Sequence, residues 1–161
     1  MFESVFRTKD VLKVLGISVG TWKQWQADNY PVAPQKPGSG PKPSEFSGYE
    51  LLHIALFKRF MDLGIRKEHT AFLLGKNPVN SPVDWSGIAM GGEPEIFVVK
   101  LKKGYSKTIQ TSDLPIRMDH GFFDEHDSIV PGSGDDFIIA INLKDLIADV
   151  KAKVNQHTFE D

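Results

Sequence analysis

The sequence predicts an α+β protein, with helices gathered in the first 76 residues and a small mixed α/β unit after residue 94. Three observations carry this reading. Apolar residues recur at spacings of three and four in successive segments before Lys76, Ser47 and Glu50 form a capping box, and Ile96–Leu101 and Phe137–Ile141 have strand composition.

The first helix is expected to begin at Thr8 as N-cap, since Val11, Leu12, Val14 and Leu15 form one apolar stripe that Gly16 ends. Ser18 is the next cap, opening a short helix on which Trp22 and Trp25 share a face and which stops near Asp28–Asn29. The stretch 31–43 holds five prolines and two glycines, which forbid a regular helix or central strand and leave a loop or extended hairpin. After the Ser47/Glu50 box, Leu51, Leu52, Ile54, Ala55, Phe57, Phe60, Met61 and Leu63 carry a long helix to Gly64. Ile65–Leu74 then reads as a short fourth helix near Gly75.

Residues 77–94 are rich in Pro, Gly, Ser and Asn, which predicts a linker or surface strap between a first domain, 1–76, and a second, 95–161. In the second, Ile96–Leu101 and Tyr105–Ile109 flank a Lys103–Gly104 turn as a hairpin. Phe137–Ile141 reads as a buried strand, and Asn142 caps a last helix reaching about Val154. Leu143, Leu146, Ile147, Val150 and Val154 follow helical spacing on that helix and are the candidate dimer interface or an intradomain packing face.

A chain of 161 residues makes one domain or two small ones. Cysteine is absent, which excludes disulfides, thiolate metal sites and cysteine nucleophiles. No apolar run approaches the ~20 residues that cross a bilayer, and Met1–Arg7 has no basic region followed by an apolar block, so a cytoplasmic protein is expected. The net charge of −2 conceals an asymmetry: residues 1–76 carry 11 Lys/Arg against 7 Asp/Glu, whereas 77–161 carry 8 against 14. A basic first half suits a polyanion such as DNA, and an acidic second half suits assembly or regulation.

The N-terminal order, helix, tight turn, short helix, Pro/Gly-rich loop, long helix, is that of a helix-turn-helix followed by a wing. In such a unit the second helix enters the major groove and the loop touches phosphate or the minor groove. Ser18, Val19, Gly20, Thr21, Lys23, Gln24 and Gln26 lie away from or beside the Trp22/Trp25 stripe. Gln24 and Gln26 suit an adenine edge, Lys23 a guanine or a phosphate, and Thr21 a phosphate, with Ser18 among the DNA-binding residues. Phosphate positioning falls to Arg7, Lys9, Lys36, Lys42, Arg59 and Lys67.

Arg7-Thr8-Lys9-Asp10-Val11-Leu12-Lys13-Val14-Leu15-Gly16-Ile17-Ser18, Thr21-Trp22-Lys23-Gln24-Trp25, Phe46-Ser47-Gly48-Tyr49-Glu50-Leu51 and Arg59-Phe60-Met61-Asp62-Leu63-Gly64-Ile65 together resemble the winged helix-turn-helix of the MerR family and its excisionase-like relatives. Thr21 to Trp25 stand where that family has a Thr-Leu-Arg-Tyr-Tyr-like sequence, keeping the apolar, basic and aromatic places in type. The loop offers Lys36 and Lys42 where the family's wing presents arginines, and no coiled-coil heptad run follows Leu74. The resemblance implies a non-catalytic protein that binds double-stranded DNA as a homodimer, either a transcriptional regulator or an excisionase-like accessory factor. The alternative is a protein-interaction module on a winged-helix scaffold within a phage or replication assembly.

An enzyme reading starts from His120, Asp124, His126 and Asp127, whose nitrogen and oxygen donors suit a divalent ion but whose spacing matches no ligand motif; the segment reads better as a solvated acidic loop. Ser133 lies in Gly-Ser-Gly without the wider nucleophile-elbow pattern, and neither Pro-Gly-Ser-Gly segment ends as a phosphate-binding loop. No catalytic constellation, metal or cofactor is expected.

Overall fold

The computed structural model describes residues 3–28, 30, 38, 43–75, 81–90, 95–100, 105–110 and 138–157. Eleven elements follow one another in these residues: β1 Val5–Arg7, α1 Thr8–Leu15, α2 Val19–Ala27, β2 Glu45–Ser47, α3 Gly48–Asp62, α4 Lys67–Leu74, α5 Trp85–Ala89, β3 Glu95–Lys100, β4 Tyr105–Gln110, β5 Ile138–Asn142 and α6 Leu143–Gln156. The class is mixed α+β. The loop containing Lys36 and Lys42, the segment holding His120, Asp124, His126 and Asp127, and Ser133 lie outside the described residues.

Short local signals set the helix ends. Ser18 Oγ accepts the Thr21 N–H at 3.0 Å, opening α2 as expected. Ser47 and Glu50 close their box in both directions, with Ser47 N–H donating to Glu50 Oε2 at 2.6 Å and Glu50 N–H to Ser47 Oγ at 3.2 Å. Asn142 Oδ1 accepts from the amides of Lys144 and Asp145. At α1 the expectation shifts by one residue: Thr8 is already helical and Arg7 is the N-cap, its N–H donating to Asp10 Oδ2 at 2.9 Å. An arginine side chain has no acceptor to return to the helix, so the acidic residue in the first turn satisfies the end from the other side. The fourth helix likewise begins later than the periodicity suggests, at Lys67, because Ile65 belongs to the turn.

Two glycines do what no other residue does cheaply here. Gly16 at φ 62° and Gly64 at φ 81° end α1 and α3 in the left-handed region. In each turn the next amide reaches back five residues, Ile17 to the Leu12 carbonyl at 2.9 Å and Ile65 to that of Phe60 at 3.1 Å. Both are Leu-Gly-Ile sequences, and each isoleucine packs into or against the core.

The strands β1 and β2, too short for any periodicity, pair antiparallel with Phe6 opposite Phe46, Val5 opposite Ser47 and Arg7 opposite Glu45. Both phenylalanines are buried. The chain therefore repeats a unit: a strand centred on phenylalanine, a helix with a buried acidic residue four positions after it (Asp10, Glu50), a Leu-Gly-Ile turn and a second helix. The two units join through their equivalent phenylalanines. The second sheet runs β4-β3-β5, all antiparallel, with Ile96 opposite Ile109 in the expected hairpin and opposite Asn142 on the other side.

One hydrophobic cluster takes residues from all three segments that composition separates. Val11, Trp25, Leu52 and Leu74 come from the first, Val83 and Trp85 from the 77–94 stretch, and Ile141, Leu143, Ile147 and Val150 from the last. The predicted linker thus contributes to the core: Asp84 caps α5 by accepting the Gly87 N–H at 2.9 Å, and Trp85 is buried. Helix α6 packs on α1 and α3. Of its candidate dimer residues, Leu143, Ile147 and Val150 are buried in this core and Leu146 and Val154 pack against it. That stripe is filled by intrachain packing, because burying it against α1 and α3 removes its apolar area from water within one chain.

His53 lies on α3 with no solvent exposure; one ring nitrogen, Nε2, is 3.2 Å from the Gly75 carbonyl, and Nδ1 has no partner among the described residues. Desolvation pushes its pKa down from 6.5 to about 4, the Gly75 bond opposing only in part. A folded-state value below the unfolded one means that the unfolded chain takes up a proton first as pH falls. The corresponding stability, on the order of 3 kcal/mol, is present above pH 6.5 and is lost down to about pH 4. Urea titrations from pH 7 to 4 should show this loss, and His53→Leu should flatten the profile across that window. Ser47→Ala should lower stability by about 1 kcal/mol at neutral pH through the lost cap, read from the same titrations.

Candidate nucleic-acid interface

Helix α2 has two faces with different chemistry. On one, Trp22 and Trp25 are buried. Trp22 meets Phe46 of β2 edge-on, centroids 5.8 Å apart at 75°, and Trp25 meets Phe57 of α3 at 5.1 Å and 70°. Edge-to-face pairs add about 0.5–1.5 kcal/mol to the area they bury. Tyr30, just beyond the helix, stacks on the same Phe57 at 6.3 Å. The helix is thus held at two points one turn apart, one on a strand and one on the longest helix, and its roll about its own axis is fixed.

The opposite face carries Gly20, Lys23, Gln24 and Ala27, all exposed, and Val19, also exposed, lies at its edge one turn before Lys23. Thr21 is exposed beside them, its hydroxyl 2.8 Å from that of Ser18. Lys23 and Gln24 therefore stand as expected, projecting from a fixed helix. Gln26 does not: it is half-buried, and its amide nitrogen donates to the Tyr30 carbonyl at 2.9 Å, holding the chain where it leaves α2. Its place is structural, and a base edge would have to compete with that bond.

The cations assigned to phosphate spread over several elements. Arg7 is exposed at the end of β1, opposite Glu45 in the ladder, Lys9 is exposed on α1, and Arg59 is exposed on α3. Lys67, at the start of α4, is bonded to the Asp28 carboxylate at the C-cap of α2. That carboxylate holds the lysine above its ordinary range, and the surface pair links α4 to α2. The pairing joins residues 39 positions apart, which no local pattern announces. Lys36 and Lys42 lie outside the described residues.

No known protein family matches the chain, and no curated protein matches it. No described helix is long and apolar enough to cross a membrane.

The two faces of α2 should separate in mutagenesis. Trp25→Ala should cost about 3–5 kcal/mol as a large-to-small core change. Lys23→Ala removes an exposed side chain that forms no ion pair among the described residues, and should stay within about 0.5 kcal/mol of wild type. Equilibrium denaturation of both variants checks this; a large loss for Lys23→Ala would mean that the lysine belongs to the scaffold.

Proposed function

We propose that the chain is a non-catalytic, sequence-specific binder of double-stranded DNA, in which residues 1–76 act as a winged helix-turn-helix and α2 reads the major groove. The observation that carries this is the division of α2: two tryptophans fix one side, and Thr21, Lys23 and Gln24 stand exposed on the others. A reading helix needs a rigid mount and free hydrogen-bonding side chains together, since base discrimination depends on donors and acceptors held at fixed positions. The sharp α1–α2 turn through Gly16, the pairing of β1 with β2 ahead of α3 and the basic balance of residues 1–76 support the same reading. Arg7, Lys9 and Arg59 supply phosphate contacts, and the acidic remainder serves assembly or regulation in a transcriptional regulator or an excisionase-like accessory factor. A homodimer on a palindromic site fits such a module, with a contact surface other than the buried α6 stripe.

Fluorescence anisotropy of labelled duplexes at several salt concentrations tests this. Affinity should fall steeply with salt, each phosphate contact adding about 0.9 to the logarithmic slope. Lys23→Ala should weaken binding to preferred fragments more than to random ones, and Lys9→Ala should weaken all fragments alike with a slope shallower by about one. Equal losses on preferred and random duplexes for Lys23→Ala would remove α2 from the reading role.

A second reading, a protein-interaction module, draws on Phe72 of α4, which is 74% exposed. On that reading a partner protein would bury the Phe72 ring. Absence of duplex binding at low salt would favour it.

A further inference from the structure

Five large apolar side chains stand exposed among the described residues: Val5, Val19, Leu63, Phe72 and Met90. Of these only Val19 belongs to α2, where helical phase puts it on the flank between the buried Trp22 and the exposed Lys23. It is 59% exposed in the first turn of the helix, one turn before Lys23. Gly20 beside it has no side chain, and a Cβ built there would meet nothing nearer than Ser18 Oγ at 3.8 Å. The valine methyls are therefore not shielded by a bulky side chain at the next position. A β-branched residue is a poor choice for an exposed first turn on propensity grounds, and Val19 makes none of the core packing that places Trp22 and Trp25.

On the reading of α2 as a groove-facing helix, which this inference rests on, we infer that Val19 reads the C5-methyl group of a thymine. The major-groove edge of a thymine presents one apolar group, its methyl, and a valine offers only methyls; the two bury each other where no hydrogen bond is at stake. Lys23 and Gln24 address polar edges and leave this group unread. Four residues of helix rise span about 6 Å, close to two base steps of 3.4 Å, so the thymine lies about two base pairs from the base that meets Lys23. The preferred site thus contains a required thymine whose recognition is apolar and independent of charge. The partner is duplex DNA, consistent with the net positive balance of residues 1–76.

The test uses the full chain. Duplexes are first enriched from a random pool by binding. Each thymine of the enriched site is then replaced in turn by deoxyuridine, which differs only in lacking the methyl, and anisotropy is measured with wild type, Val19→Ala and Lys23→Ala. Val19 is exposed, so Val19→Ala leaves the core untouched, and a thermal melt of the variant verifies that it is folded. One deoxyuridine position should weaken wild-type binding about fourfold, the worth of one buried methyl group. Val19→Ala, which keeps only its shorter Cβ methyl, should shrink the deoxyuridine penalty while keeping the salt dependence of wild type. If Lys23→Ala weakens preferred sites selectively but no deoxyuridine position affects wild type, or if the deoxyuridine penalty persists undiminished in Val19→Ala, the thymine role is wrong and the groove reading stands. If no duplex is enriched, both fall.

Discussion

Two edge-on ring contacts, Trp22 on Phe46 and Trp25 on Phe57, set the orientation of α2, and much else is arranged to make them possible. Phe46 can receive Trp22 only because β2 is pinned in register against β1, with Phe6 directly opposite. Phe57 receives Trp25 from α3, whose first turn is closed by the capping box at Ser47 and Glu50. Each anchor is thus a tertiary contact that inherits its precision from a local device. The polar face of α2 acquires a fixed direction because the apolar face has no alternative seat.

The same economy shows in the repeated strand–helix–turn–helix unit. Phenylalanine at the strand centre, a buried carboxylate that accepts from the N-cap amide, and a left-handed glycine after the helix occur in both halves. What differs is helix length, eight residues in α1 against fifteen in α3. The extra turns make α3 the axis on which α4, α5 and α6 gather. Its residues 51 to 57 are all buried, histidine included, so neighbours cover every side of the helix there. A residue such as His53 is tolerated in that setting only as a neutral group.

Legibility in the sequence followed the range of the interaction. Gly16, Ser18, Ser47 with Glu50, and Asn142 act within one helical turn, and their residue types announced the ends they make. Trp22 and Trp25 at a spacing of three marked the buried face of α2, and with it the opposite exposed one. The strands β1 and β2 leave no signal in the sequence because three residues carry no measurable period. Trp85 was hidden among prolines and glycines whose composition reads as loop, and the burial of α6 could not be told from an intermolecular seam, since an apolar stripe does not say which chain covers it. The candidate site divides in the same way: Lys23 and Gln24 follow from helical phase alone, whereas Gln26 is claimed by a carbonyl beyond the helix and Lys67 by a carboxylate on another helix.

The burial of the indoles has an optical consequence. All three tryptophans of the chain, Trp22, Trp25 and Trp85, are in the core, two behind the exposed face of α2 and one in α5. Native tryptophan emission thus arises from rings at most 7% exposed, none of them on that face. A ligand docking there without disturbing the helix leaves the emission wavelength in place, and a spectral shift on binding reports that α2 has moved on its mount. The chain carries its own gauge for telling rigid recognition from induced rearrangement, with no added label.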